Sequence, residues 1–554
     1  MTNKILLPIK KFFKANQILK AFAFCLTACS LLACNKYMEV RPENDILLED
    51  YWKKASDVEA SVLACYRGMQ EDDFMYRVIC WGELRSDNVI PASSANDQNV
   101  QDASSANILP TNTLTQWASF YKVINYCNTV LKFAPQVVDI DPNFTNADLQ
   151  AKSAEALAVR ALCYFYLVRT FRDIPLVLEP TVDDTQILQV PQSQPDSVLT
   201  QITSDLLQAE QWALSEYSTT TQTKGRMTKD AIRAILADVY LWQGKYADCV
   251  TYCDKLINAI ATNTTGTGTS TGTNPNVSLP KYPLIQASAT GLLPNYSIFF
   301  PGGRGGNSSE SIFELQFTTE KYNEGVGKLY GKSNEGSDKI QLNATTMYAE
   351  GDIVFPLTDD RKPESLYVSQ TEGGSYQIIK FWMYPLQIAT NVYAYQSSPN
   401  TPNWIFYRIS DIMLMKAEAL VQLDRSETDL RDALHLVNTT YMRSNPTLLP
   451  TDSLAFQNYS DPTTLDYLVL LERQRELMFE GKRWFDLVRR SERKQSSQDL
   501  VTFVSYKYTD NVSTIAAKLS VMNGLYMPIN ADELKANPLL VQNPYYVTST
   551  NIVK

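Results

Sequence analysis

One stretch does most to limit what this chain can fold into: Leu470 to Arg490, LLERQRELMFEGKRWFDLVRR. Glu472, Glu476 and Glu480 recur every four residues, which on a helix stacks them as one acidic stripe, and Arg473 and Arg483 answer it at three-residue spacing. Gly481 interrupts the pattern. A glycine there ends the first helix in a left-handed conformation, after which Trp484, Phe485 and Val488 mark the apolar face of a short second helix, with Asp486 and Arg489 paired on its other side. The stretch therefore predicts a helical corner locked by ion pairs. Catalytic carboxylates are the competing reading, but acid and base work needs two groups flanking a substrate with their pKa values pushed apart. Here each carboxylate sits beside its own arginine, and we read them as structural.

The order E-R-x-R-E-L-x-F-E-G-x-R-W-x-D-L-x-R, carried by Glu472, Arg473, Arg475, Glu476, Leu477, Phe479, Glu480, Gly481, Arg483, Trp484, Asp486, Leu487 and Arg489, resembles the C-terminal signature of the SusD/RagB family. A second stretch, LYMPINADELKANPLLVQNPYY, is similar to that family's closing pattern through Pro528, Ile529, Glu533, Asn537, Pro538, Leu539, Gln542, Asn543, Pro544 and Tyr546. The resemblance implies a nutrient-capturing lipoprotein of the outer membrane that works with a SusC-like TonB-dependent transporter. It runs from Cys34 to near the end and is weakest in the loops, where ligand choice would be made.

At 554 residues the chain is long for one core, so two or more lobes are expected. Apolar content of 44% and charge of 20% are those of an ordinary folded protein. The net charge is -10, and losing the five lysines of the first 33 residues would take it to -15. Such an acidic body argues against nucleic acid, since phosphate contacts need a basic face. The single histidine, His435, cannot by itself assemble a zinc site or a Ser-His-Asp triad. On that ground we expect neither a cofactor nor catalysis.

Lysines to Lys20 and a thirteen-residue apolar run, AFAFCLTACSLLA, form a signal sequence too short to span a bilayer. Cys29 and Cys34 both follow a small residue, and Cys34 leaves the better h-region. The following NKYMEVRPEN resembles the start of mature SusD-like chains, so residues 1–33 are expected to be removed and Cys34 acylated. Lys36 stands where many relatives carry an acid, and Glu39 is the first one here. Exposure outside the cell is the expectation that protease shaving would test.

A helix is expected from Ala55 to Met69, followed from Asp87 by a long polar loop rich in Ser, Ala, Asn and Asp. Trp81, Arg85, Asp87 and Asn88 stand at its entrance, and Trp117 and Tyr121 follow it. A ring face beside amide, carboxylate and guanidinium groups is what a pyranose needs. Strong helical periodicity follows in TLTQWASFYKVINYCNTVLKFAP and in the segment that Pro175 should stop. RMTKDAIRAILADVYLWQGKYADCVTYCDKLI reads as a tetratricopeptide-like hairpin with Ala237, Tyr240, Gly244, Tyr246 and Cys249 at the small and aromatic positions, and a second pair begins at Tyr407. Glu310 to Phe317 is expected to be a strand. The Tyr- and Gly-rich stretch from Glu320 to Asn403 is a candidate binding surface holding Trp382, with Trp404 just beyond it.

Two motifs fail. The glycines around Arg304 lack the lysine of a phosphate loop, and the run from Asp139 has Phe144 and Gln150 where a calcium loop needs glycine and glutamate. Cys249 and Cys253 suit core packing better than metal. The expected architecture is mainly all-α, tetratricopeptide-like hairpins with long irregular loops and a few short strands, divided at 34–309 and 310–554. Its expected function is glycan binding through Trp81, Arg85, Asp87, Asn88, Trp382 and Trp404. A RagB-like peptide binder, a two-carboxylate glycoside hydrolase and a structural lipoprotein without a ligand are the alternatives.

Overall fold

Apolar residues at three- and four-residue spacing become helix along most of the chain. The computed structural model describes residues 51–547, apart from 93–94, 183–185, 187–188, 262–278, 286–305, 332–338, 344–353, 357, 362–367, 371–375, 390–391 and 398–402. The signal sequence, Cys34 and Lys36 lie outside the described residues.

Helix α1 spans Ala55–Met69, as its spacing predicts, and α2 (Asp72–Ile79) runs into one turn of π-helix, Cys80–Leu84. The expected polar loop after Asp87 is partly ordered into strand β1 (Val89–Pro91) and helix α3 (Gln98–Ser104). Helix α3 has almost no apolar period to announce it and starts on the Asp97 carboxylate, which accepts the N–H groups of Asn99 and Val100. Next come α4 (Ala118–Phe133) and α5 (Asn146–Phe171), the latter opened by a capping box between Thr145 and Asp148. From Ser153 to Phe171, α5 is buried all round, the mark of a central helix. It ends four residues before Pro175, at Arg172 with φ 71°, and Ile174–Pro175 (β2) pairs antiparallel with Gln192–Ser193 (β3).

Helices α6 (Pro195–Trp212) and α7 (Thr220–Gly225) lead to the first hairpin, α8 (Lys229–Trp242) and α9 (Tyr246–Ile257), which turns at Gly244 with φ 70°. Strand β4 (Ser311–Leu315) falls inside its expected range, followed by α10 (Glu324–Tyr330) and β5 (Ile340–Leu342). The Tyr-rich region contributes two antiparallel hairpins, β6 (Val368–Gln370) with β7 (Tyr376–Ile378) and β8 (Met383–Ala389) with β9 (Val392–Ser397). Strand β10 (Trp404–Arg408) pairs antiparallel with β4 and passes directly into α11 (Ile409–Leu423). Helices α12 (Glu427–Ser444), α13 (Pro462–Glu476), α14 (Arg483–Lys494), α15 (Gln498–Ser505), α16 (Val512–Leu519) and α17 (Ala531–Ala536) complete the chain.

The two hairpins stack as tetratricopeptide-like units do. Leu414, Ala417, Leu420, Leu430, Val437 and Leu465 close one core among α11, α12 and α13, against which Val250 and Ile257 of α9 pack. Cys249 and Cys253 are fully buried on α9, with sulfurs 4.0 Å apart. Strand β1 pairs with β5 across the expected division at 309/310. Among the described residues no helix is long and apolar enough to cross a membrane.

Candidate functional site

The opening signature does form a corner, but its first helix stops at Glu476. Residues 477–482 make the corner itself, with Phe479 at φ 68° and Gly481 at φ 69°. Two left-handed residues end a right-handed helix, so Glu480 leaves the expected stripe. The strained Phe479 is fully buried, and its carbonyl accepts the Tyr330 hydroxyl at 2.9 Å. Gly481 meets the π turn: a Cβ on Gly82 would lie 1.8 Å from the Gly481 carbonyl oxygen, and the Gly481 N–H donates to Glu83 Oε2 at 3.2 Å. Two glycines therefore let the N-terminal and C-terminal motifs touch backbone to backbone.

Around this contact lies a buried lattice of charges. Glu476 accepts from Arg408 Nη1 at 2.5 Å, from Arg361 Nη1 at 2.9 Å and from Arg443. Glu472 takes Arg361, Arg475 and the Thr440 hydroxyl, and Glu480 takes Arg408 and Lys380. Arg473 and Arg483 do not answer these acids as their spacing suggested. Both helices face inward, so the guanidinium groups reach other elements: Arg473 binds Asp486 and Asp411, and Arg483 binds Asp87. Asp486 and Arg489 do pair, at 2.8 Å, and Arg489 continues to Glu418 at 2.6 Å. They lie on no outer face, because α14 is buried on every side from Arg483 to Ser491. Burial alone would push the Glu476 carboxyl up, but Arg443, Arg408 and Arg361 outweigh it and hold it well below the usual carboxylate range. Glu480 is lowered in the same way, burial being overcome by Arg408 and Lys380. These carboxylates are fixed anions without access to a substrate.

The proposed sugar contacts mostly belong to the same interior. Trp81 is 1% exposed, stacks on Phe120 at 4.6 Å and donates its indole N–H to the Leu114 carbonyl. Arg85 lies over the Trp484 ring at 4.2 Å and donates to the carbonyls of Leu525 and Gly524. Asp87 accepts both Arg483 and Gln474, and Asn88 bridges Glu83 and Gln474. Trp404, on β10, stacks on Phe381. Those five side chains are buried and take their partners from within the protein. Trp382 differs: it is half-buried, its N–H anchored on the Tyr330 and Ile378 carbonyls. Beside this lattice, burial raises the Glu83 carboxyl to about 7 against a hydrogen bond from Asn88. Burial also lowers the Lys507 ammonium to about 7, where it donates to the Leu84 and Ser86 carbonyls.

A separate cavity of about 630 Å3 opens between the start of α4, the segment after β2, and α17. Its walls are Trp117, Tyr121, Ile124, Leu176, Val177 and Leu540, with Glu533 among its polar residues. Trp117 and Tyr121 meet edge to face at 5.7 Å. The sequence sets both aromatics just after the polar loop, Tyr121 on α4 and Trp117 at its N-cap in the structure, but gives no weight to Glu533 as a surface group. Its spacing of four from Asn537 within the closing motif was the available signal. Among the described residues, no three His, Cys, Asp or Glu side chains converge as a metal site would require.

Comparison with known proteins matches residues 364–546 to a model described as the SusD family, and residues 36–241 to one described as starch-binding, associating with outer membrane. A SusD-like protein of Formosa agariphila is 26% identical over 506 residues, covering 87% of this chain and 92% of its own. A SusD superfamily protein of Bacteroides vulgatus superposes with a TM-score of 0.68 at 20% identity, over 89% of this chain and 100% of its own. A structure named as a laminarin-binding SusD-like protein superposes with a TM-score of 0.61 at 21% identity, over 89% of this chain and 100% of its own. At those identities the solved structures establish the shared fold.

Proposed function

The chain belongs to the SusD/RagB family, and from that premise we propose that it is a non-catalytic lipoprotein that binds a glycan at the outer membrane and passes it to a SusC-like TonB-dependent transporter. The observation that carries the non-catalytic part is the state of the signature carboxylates: Glu472, Glu476 and Glu480 are buried and bound by arginine or lysine, where acid and base work needs groups within reach of a substrate. The sugar part is supported by the starch-binding description of the family model and by the laminarin-binding relative with the same fold. Anchoring is through acyl chains on Cys34, with the protein facing outward. Each buried methylene of those chains contributes about 0.8 kcal/mol, and two or more chains make the attachment lasting.

Of the six sugar contacts read from the sequence, Trp382 retains a partly exposed ring on the region between β7 and β8, and it is the contact we retain. Titration calorimetry against a panel of soluble glycans and against oligopeptides tests the reading. It predicts heat with at least one glycan and a loss of about tenfold or more in Trp382→Ala, whether or not a peptide also binds. Binding of peptides as the sole ligand transfers the assignment to a RagB-like peptide carrier.

A further inference from the structure

The cavity bounded by Trp117, Tyr121 and Glu533 is absent from the sugar reading, and its chemistry is lopsided. Several side-chain donors on its wall are already engaged within the protein. Tyr121 donates to the Pro175 carbonyl at 2.7 Å, Asn125 to Thr181, Asn128 to Val177, and Asn537 to Val190. Those bonds pin the segment after β2 onto α4 and α17, and the carbonyls they use, each with a second lone pair, stand in the cavity beside the Glu533 carboxylate. Glu533 is half-buried, with the Trp117 indole bonded to it and Asp532 as its charged neighbour, and no cation among the described residues pairs with it. Burial accordingly raises its carboxyl above the ordinary glutamate value, against the Trp117 bond.

A sugar presents hydroxyls that both give and take hydrogen bonds, so it wants donors as well as acceptors on the wall. A cation on an apolar stem wants what is present here: an aromatic and aliphatic sleeve, carbonyl oxygens, and one carboxylate that no cation among the described residues pairs with. The rim continues the pattern. Leu178, Val182, Leu539 and Val541, next to or among the lining residues, are 38%, 42%, 50% and 71% exposed. We propose that this cavity is a docking site for a polypeptide segment of a partner protein, which inserts an arginine or lysine side chain against Glu533 between flanking apolar residues that cover the rim. The site is separate from the glycan contact at Trp382, and the proposal holds whether or not the bound nutrient is a sugar.

The test uses the full chain and two blocked pentapeptides, one with arginine between leucines and the other with citrulline in its place, titrated by calorimetry. The arginine peptide is expected to bind, and the citrulline peptide to bind at least about tenfold more weakly, as loss of a charge-assisted pair requires. Glu533→Gln is expected to abolish that preference with the thermal unfolding midpoint unchanged, while Leu178→Ser weakens both peptides. Equal affinity for the two peptides, no measurable affinity for either, or a preference that survives Glu533→Gln overturns the proposal. Displacement of the arginine peptide by free glucosamine, an ammonium on a sugar, overturns the polypeptide assignment. Glycan titrations run on Glu533→Gln are expected to match the wild type, so failure here and failure of the sugar reading are separable.

Discussion

Gly82 and Lys507 show how single residues carry the join between the two ends of the chain. Gly82 has no room for even a methyl group, since its Cβ would fall on the Gly481 carbonyl, and both neighbours are backbone. Gly82→Ala is expected to destabilise the protein by about 3 kcal/mol or more, measured by urea unfolding, because neither segment can yield without breaking the corner. Lys507 gives a pH signature. The unfolded chain keeps its proton up to about 10.5, whereas burial makes the folded chain release it near 7. Across that window the unfolded state binds more protons, so this group makes stability rise with pH, by at most about 1.4 kcal/mol per unit. Unfolding curves of wild type and Lys507→Met at pH 7, 8 and 9 are expected to diverge accordingly. Parallel curves would mean that the buried amine titrates normally.

At the scale of the element, the corner between α13 and α14 is the piece most legible in the sequence, and also the place where spacing misleads. A four-residue repeat of glutamates reads as a helical stripe with local arginine partners, yet the corner begins at Leu477, and the partners come from Arg361, Arg408 and Arg443, far away in sequence. Helical spacing reports neighbours on one helix and carries no information on which cations a buried helix meets from outside. The same limit applies to Trp81, Asp87 and Asn88, which the sequence reads as ligand contacts and the structure buries. Aromatic and polar residues at a loop entrance have one composition whether they face solvent or clamp a core, and only the burial around Arg483 and Gln474 decides between them. The helix Ala55–Met69 and the two hairpins were readable because an apolar period survives in them, while α3 and β1 were not, being short and held by a cap and by pairing with β5. For the corner itself, Glu476→Gln is expected to cost about 3–5 kcal/mol, since it removes the one anion shared by three buried guanidinium groups. A loss under about 1 kcal/mol, the size of an exposed pair, would show that the lattice is wetter than the geometry implies.

As a whole, the described part of the molecule is a helical scaffold whose charged signature is spent on architecture. The arginine-bound glutamates hold the corner against β10 and α12, and the Gly481 N–H ties it to Glu83 of the π turn, so the acids of this signature are buried in the interior. A glycoside hydrolase presents two carboxylates to a glycosidic bond, and on the proposed reading the signature carboxylates are not free to do so. The most direct measurement is prolonged incubation of the purified full chain with a glycan that it binds by calorimetry, followed by mass analysis of the recovered sugar. The account predicts that the glycan is retained at constant affinity and returned at its original length. Shortened chains that accumulate with time, and that disappear in Glu476→Gln protein shown to be folded, would contradict it.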